Sequence, residues 1–125
     1  MKEFFKRLGL EVSVEDFARY IRILIDDLSP ILKSDDFKVH LLDQPAQVED
    51  LTEAQRQALD ENKVWRAAES GELVLPVVYG GRPLAVLNAA LPADLELPEA
   101  AYPFLIPIIT QSLEKILLYL SLIHI

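Results

Sequence analysis

The chain contains no cysteine in its 125 residues. This excludes a disulfide framework, a thiolate nucleophile, thiolate metal ligands and a thioether attachment point for a linear tetrapyrrole. An excess of positive charge is also missing, because 20 acidic residues against 12 basic ones give a formal net charge of −8. Such a chain repels phosphate backbones and anionic lipid headgroups. The composition therefore predicts no nucleic-acid partner and no membrane partner.

Long uninterrupted apolar runs are scarce. The N-terminal stretch MKEFFKRLGLEVSVEDF carries a charge every two or three residues, which is not the pattern of a secretory signal. The run ILLYLSLIHI after Lys115 has ten residues, whereas a membrane-spanning helix needs about 20. These features predict a soluble, cytoplasmic protein.

Hydrophobic residues make up 51% of the chain, which is enough for one core and predicts a single domain over residues 1–125. Residues 1–12 are expected to form an N-terminal extension. Residues 108–125 are expected to form a C-terminal signalling or dimerisation helix, because apolar residues recur there at helical spacing.

Apolar periodicity predicts two further helices and one strand. The first helix covers residues 14–33, and a bend is expected near Pro30. Residues 37–43 alternate as a strand, with His40 opposite its apolar face. A capping-box pattern at Thr52 predicts the start of a helix over about residues 53–69, which carries Trp65. Gly71 is expected to end this helix as a left-handed C-terminal cap.

Paired glycines predict a hairpin in the second half of the chain. Its strands run from Leu73 to Tyr79 and from Arg82 to Ala90, joined by a primed turn at Gly80-Gly81. Pro76 cannot donate to a ladder, so it is expected at an edge or an unpaired position. The resulting fold class is α+β, with a small antiparallel sheet covered on one side by helices.

Groups capable of catalysis do not form a recognisable set. His40 has no nearby histidine in sequence, and no nucleophile, histidine and acid grouping can be assembled with it. The adjacent acids at Asp26-Asp27, Asp35-Asp36 and Glu49-Asp50 are interpreted as solvated surface, because neighbouring side chains diverge. The sequence therefore predicts no catalytic residue, no metal site and no cofactor.

Three residues are candidates for binding an unidentified small-molecule ligand: Trp65, Tyr79 and Asn88. Asn88 lies on an otherwise apolar strand, where an amide must find a partner if it is buried. The alternative is structural, with Trp65 in the core and Asn88 exposed or bonded to the backbone.

Residues 64–92, VWRAAESGELVLPVVYGGRPLAVLNAALP, resemble the second half of a GAF domain. In that family a helix ending in a Ser/Thr-Gly pair leads to a strand with Leu-Pro-Val, a glycine hairpin and a strand with Gly-Val-Leu. Ser70-Gly71, Leu75-Pro76-Val77 and Gly80-Gly81 occupy the corresponding places. Ala85 replaces the usual glycine, and only one clear strand precedes residue 72, which predicts a reduced sheet.

The GAF resemblance implies a non-catalytic sensory or regulatory input module, typically a homodimer whose terminal helix signals to a covalently linked output domain. The ending LLYLSLIHI lacks a glycine cap or proline, which suits a helix that continues into a GGDEF diguanylate cyclase domain of a bacterial protein. The dimer seam is predicted at one stripe of the last helix: Leu113, Ile116, Leu117, Leu120 and Ile123. The alternative is a free-standing adaptor of the roadblock or longin type, which dimerises through sheet edges or a central helix.

Overall fold

The computed structural model describes residues 14–42 and 50–123, with side chains from 16 to 42 and from 50 to 122. The predicted extension 1–12, Glu49 and His124 lie outside this description. The elements are helix α1 (Val14–Leu32), strand β1 (Phe37–Leu41), helix α2 (Glu53–Glu61), strands β2 (Trp65–Arg66), β3 (Leu73–Tyr79) and β4 (Arg82–Ala89), a 3-10 helix (Glu99–Phe104) and helix α3 (Leu105–Ile123).

The four strands form one antiparallel sheet in the order β1-β4-β3-β2. The hairpin β3–β4 is its centre, and β1 and β2 are its edges. In β1, Phe37 pairs with Ala89 and Leu41 with Ala85. The α+β class and the antiparallel sheet are as the sequence predicts.

The two long helices cover one face of this sheet. Their apolar side chains, spaced three and four residues apart, pack with alternate residues of β3 and β4 in the larger of two core clusters. The fully buried members include Phe17, Leu24 and Leu28 of α1, Leu73 and Leu75 of β3, and Ile109, Leu113 and Ile116 of α3.

The short helix α2 lies on the opposite face, which corrects the expectation of helices on one side. Ala58 of α2 packs with Val74 and Val86, the strand residues whose side chains point away from the two long helices. Leu42 and Leu51 complete this second, smaller cluster. The sheet is therefore buried on both faces at its centre.

The predicted extent of α2 is wrong at its C-terminal end. The capping box is present, since Thr52 Oγ1 accepts from the Gln55 N–H at 3.2 Å and Gln55 Oε1 accepts from the Thr52 N–H at 2.9 Å. Asn62, however, adopts a left-handed conformation with φ of 49° and ends the helix after Glu61. Asparagine tolerates this conformation.

The residues after Asn62 form a strand instead of helix. Trp65 pairs with Val74 and Arg66 with Leu73. Gly71, with φ of 72°, lies in the turn between β2 and β3 and caps no helix. The stretch before Ser70-Gly71 therefore departs from the GAF pattern of a helix at this place.

The glycine hairpin is confirmed. Gly80 and Gly81 have φ of 60° and 78°, the two positive values that a type I′ turn requires. Pro76 pairs with Val86 of β4, but the pairing with β2 stops at Val74. Within residues 14–42 and 50–123, Pro76 therefore has no neighbouring strand on its other side, as expected for a residue that cannot donate.

Prolines shape both long helices. α1 continues for two residues past Pro30 and ends before Lys33, which has φ of 51°. Before α3, a 3-10 helix occupies Glu99–Phe104 with Pro103 inside it, and the α-helix begins at Leu105. The regular helix therefore begins only after Pro103.

Candidate functional site

Trp65 and Asn88 lie in one row across the sheet, on the face that α2 covers. Trp65 is opposite Val74, and Val74 is opposite Asn88. Residues directly opposite in antiparallel strands place their side chains on the same face. The structure thus brings two of the three ligand-binding candidates onto one face.

Asn88 already has a protein partner. Its Oδ1 accepts a hydrogen bond of 2.9 Å from Nε2 of Gln55, in the first turn of α2. Gln55 also closes the capping box with Thr52 through its Oε1. The amide on the apolar strand therefore anchors a helix to the sheet, through a side chain 33 residues earlier in the chain.

Tyr79 lies elsewhere. It ends β3 at the glycine turn, pairs with Arg82, and packs at the border of the larger core cluster. Five residues of strand separate it from Val74, which corresponds to about 17 Å. The three candidates therefore do not form one pocket.

An open cleft of about 760 Å³ lies beside β2, at the edge of the sheet. One wall is the segment from Asn62 to Arg66, which includes Trp65, and the other is formed by the 3-10 helix and the first turn of α3. The second wall contributes Glu99, Tyr102, Pro103 and Ile106. Pockets for small molecules typically measure about 300–1,000 Å³, so this cleft is large enough to bind one.

The indole of Trp65 has an unsatisfied donor. Its Nε1 is buried and has no hydrogen-bond partner among the residues that the structure describes. A buried donor without an acceptor costs about 1–3 kcal/mol. Trp65 was predicted as a ligand-binding candidate, and the structure places it in the lining of the cleft.

Three charged residues line the same cleft. Lys63 and Arg66 are exposed on one wall and Glu99 is exposed on the other. Arg66 Nε donates a 3.1 Å hydrogen bond to the carbonyl of Gly71. Neither cation forms an ion pair within residues 14–42 and 50–123.

The predicted dimer seam lies in the core of the chain itself. Leu113, Ile116, Leu117 and Leu120 are buried against the sheet and α1, and the side chain of Ile123 lies outside the description. These four residues cannot meet a second copy without unpacking the core. Helical periodicity identified the apolar stripe correctly but could not tell an internal partner from an external one.

A second apolar stripe on α3 is exposed. Leu118 is 60% exposed, Tyr119 48% and Leu122 59%. Leu118 and Leu122 are four residues apart and therefore adjacent on the helix surface. This stripe lies on a different side of α3 from the buried residues Leu113, Ile116 and Leu120.

Asp27 forms a polar junction that sequence reasoning missed. Its Oδ2 accepts from Ser112 Oγ at 2.6 Å and lies 2.7 Å from Lys115 Nζ. The hydrogen bonds from Lys115 and from Ser112 lower the pKa of the Asp27 carboxyl, and partial burial opposes them. These partners are 85 residues or more away in sequence. From the sequence, Asp27 was therefore interpreted only as a solvated acid next to Asp26.

His40 is half-buried in β1. Within the described residues, no three or more histidine, aspartate or glutamate side chains are grouped so as to hold a metal ion.

The segment Glu99–Leu122, with 24 residues, is long and apolar enough to cross a membrane by length and composition. This is weak evidence, because the core helix of a globular domain passes the same test. Leu105, Ile109, Leu113 and Ile116 of this segment are at most 3% exposed. In this structure the helix is part of the core of a compact domain.

Comparisons with known protein families, with curated proteins and with solved structures find no match for the chain.

Proposed function

We propose that this chain is a non-catalytic regulatory input domain of a cytoplasmic protein. It forms a homodimer through its last and first helices and passes a signal through α3 to a covalently linked output domain, such as a diguanylate cyclase. The observation that carries the proposal is the exposed stripe of Leu118, Tyr119 and Leu122, on the helix whose opposite face is the core of the domain.

A second copy of the chain is the partner that suits this stripe. In a two-fold dimer the same patch meets itself, so its charges must not repel. Glu114 and Lys115 border the stripe on the N-terminal side and are both exposed. Lys115 is paired with Asp27, which leaves one carboxylate, that of Glu114, at the border of each patch and outside the apolar contact. Two such patches can meet despite the net charge of −8.

The first helix can contribute to the same contact. A stable interface buries about 1,200–2,000 Å² in total, which is more than three side chains supply. Ile31, in the last turn of α1, is also exposed, and α1 packs directly against α3. A dimer formed by both helices therefore has apolar residues available on each.

The packing of α3 suits the transmission of a signal. One side of the helix contacts β3 and α1, and its C-terminal turns carry the exposed stripe. A shift of the sheet or of α1 therefore changes the position of that stripe. A helix with two packing positions is a common two-state element in regulatory proteins.

The oligomeric state tests this proposal. We expect the wild type to be a dimer by light scattering after size-exclusion chromatography, and Leu118→Glu/Leu122→Glu to be a folded monomer. The control is Val39→Glu, which places one such charge on an exposed apolar residue of β1 and should leave the dimer intact. A monomeric wild type, or a dimer that survives the double substitution, would contradict the proposal.

The adaptor of roadblock or longin type remains the second candidate because β1 is an edge of the sheet formed by the described residues. β1 is five residues long, has a neighbouring strand on one side only within that part of the chain, and carries Val39 at 38% exposure. If Val39→Glu dissociates the dimer and the α3 variant does not, the edge is the interface and this function is favoured.

The linked output domain has its own test. Sequencing the reading frame past the codon for Ile125 should reveal a catalytic or DNA-binding domain. A stop codon at that point would contradict this part of the proposal.

A further inference from the structure

We infer that the cleft beside β2 binds a small aromatic anion, such as an aromatic carboxylate or sulfonate. The cleft lies between the segment 62–66 and the start of the last helix. It does not include the exposed stripe of α3, so the inference stands independently of the proposed dimer.

The backbone of β2 contributes hydrogen-bonding groups to the cleft. The Ala67 N–H donates to the Glu72 carbonyl at 2.9 Å, and Trp65 pairs with Val74. Hydrogen-bonded and non-hydrogen-bonded residue pairs alternate along an antiparallel ladder. Arg66 lies between the bonded residues Trp65 and Ala67, so its backbone N–H and C=O face away from β3. Among the strands that the structure describes, β2 is the last on this side of the sheet, and these groups therefore face the side of the cleft.

This edge is too short for strand addition. An extended peptide is held by a row of main-chain hydrogen bonds. β2 has only two residues, and only Arg66 directs its backbone N–H and C=O away from β3. The volume of about 760 Å³ lies within the range of small-molecule pockets. A compact ligand is therefore favoured over a peptide.

The lining favours an aromatic ligand. Trp65 and Tyr102 line the cleft from opposite walls, and Val64, Pro103 and Ile106 add apolar surface. Aromatic rings gain stacking energy beyond the burial of their area.

The charges favour an anion. Lys63 and Arg66 stand on the wall that carries Trp65, and neither has an ion-pair partner in the described part of the chain. Glu99, on the opposite wall, is separated from them by the cleft and leaves a net charge of +1 among the three. An acidic group at the Lys63 and Arg66 side, with its ring against the aromatic and apolar lining of the cleft, satisfies both walls.

The single tryptophan makes the test specific. Trp65 is the only tryptophan of the chain, so its fluorescence reports on this wall of the cleft. We expect anilinonaphthalene sulfonate, an aromatic anion, to quench Trp65 emission saturably with a stoichiometry of one per chain. Phenylnaphthylamine, which lacks the sulfonate, should bind at least about fivefold more weakly, a difference of roughly 1 kcal/mol.

Charge reversal at the cleft should remove this preference. We expect Lys63→Glu/Arg66→Glu to weaken binding of the sulfonate about tenfold and to leave phenylnaphthylamine unaffected. Lys63→Glu alone, which keeps the bond from Arg66 to Gly71, should show a smaller loss if the double variant folds poorly. The control Arg19→Glu/Lys33→Glu makes the same change in net charge at exposed positions on and just after α1 and should bind as the wild type does.

Three results would overturn the inference. One is quenching that does not saturate, or that is equal in the cleft variants and the wild type. Another is loss of quenching in Leu118→Ser/Leu122→Ser, which would place the dye on α3. The third is a change of Trp65 emission with protein concentration in the absence of dye, which would show that a second copy occupies the cleft.

Discussion

Lys115 Nζ lies 2.7 Å from Asp27 Oδ2, and Ser112 Oγ donates to the same oxygen at 2.6 Å. Ser112 and Lys115 are three residues apart and therefore adjacent on one side of α3. A single carboxylate on α1 thus holds one turn of α3 and fixes the rotation of the last helix against the first. In the proposed function, this junction helps to set which face of α3 is exposed.

The substitution Asp27→Asn should lower the free energy of unfolding by about 1 kcal/mol, because it weakens the bond from the buried Ser112 hydroxyl and removes the ion pair. Urea unfolding at neutral pH measures this loss. The control Asp26→Asn removes a helical pair with Arg22 whose side chains are both more than 60% exposed, and should cost at most about 0.5 kcal/mol. Equal losses would mean that Asp27 is no more than a surface charge.

The contribution of Asp27 should also depend on pH. Lys115 and Ser112 hold the folded-state pKa of Asp27 below its ordinary value of 3.8. Its stabilisation is therefore complete above the ordinary pKa and is lost as the pH falls through the lowered folded-state pKa. The difference in stability between wild type and Asp27→Asn should be constant near neutral pH and shrink in strong acid. A difference that grows on acidification would contradict this assignment.

Truncation of a side chain should lower the stability of the domain in one apolar stripe of α3 and leave it almost unchanged in the other. Leu113→Ala removes a side chain with no exposed area and should cost about 2–5 kcal/mol of folding free energy. Leu118→Ala removes a side chain that is 60% exposed and should change the stability of the monomer by less than about 0.5 kcal/mol. Thermal unfolding of dilute protein compares them, and similar losses would show that both stripes are buried.

Local patterns predicted most of this fold. The helix 14–33, the capping box at Thr52, the hairpin around Gly80-Gly81 and the long last helix follow from spacing, from side chains that cap a helix, and from positive φ angles. These determinants act within a few residues of one another, so a single sequence displays them.

The features that were missed depend on distant partners. Val64 and Trp65 continue a pattern that also suits a helix, and only pairing with β3 makes Trp65 a strand residue. Asp27 looks like solvated surface beside Asp26 until α3 supplies Ser112 and Lys115. Burial of Leu113 by the domain itself is likewise a consequence of topology, which periodicity does not encode.

The turn of the hairpin should tolerate asparagine better than alanine. Gly81 has φ of 78°, and a Cβ added there would meet nothing within 4 Å. The cost of Gly81→Ala is therefore conformational, about 1–2 kcal/mol. Gly81→Asn should cost less although its side chain is larger, because asparagine adopts left-handed conformations more readily. Chemical unfolding of the two variants measures the loss of folding free energy in each. A larger loss for Gly81→Asn than for Gly81→Ala would contradict this prediction and indicate crowding at the turn.

Gln55 should couple α2 to the central strand energetically. It caps the helix with Thr52 and donates to Asn88 Oδ1 at 2.9 Å, so Gln55→Ala loses both interactions while Asn88→Ala loses one. A double-mutant cycle for this pair should give a coupling energy of about 0.5–1.5 kcal/mol. Gln57, exposed on the same helix, is the matched control, and its cycle with Asn88 should give a value near zero. If the Gln55 cycle also gives zero, the bond adds no stability, and Asn88 would be available to a ligand on the α2 face.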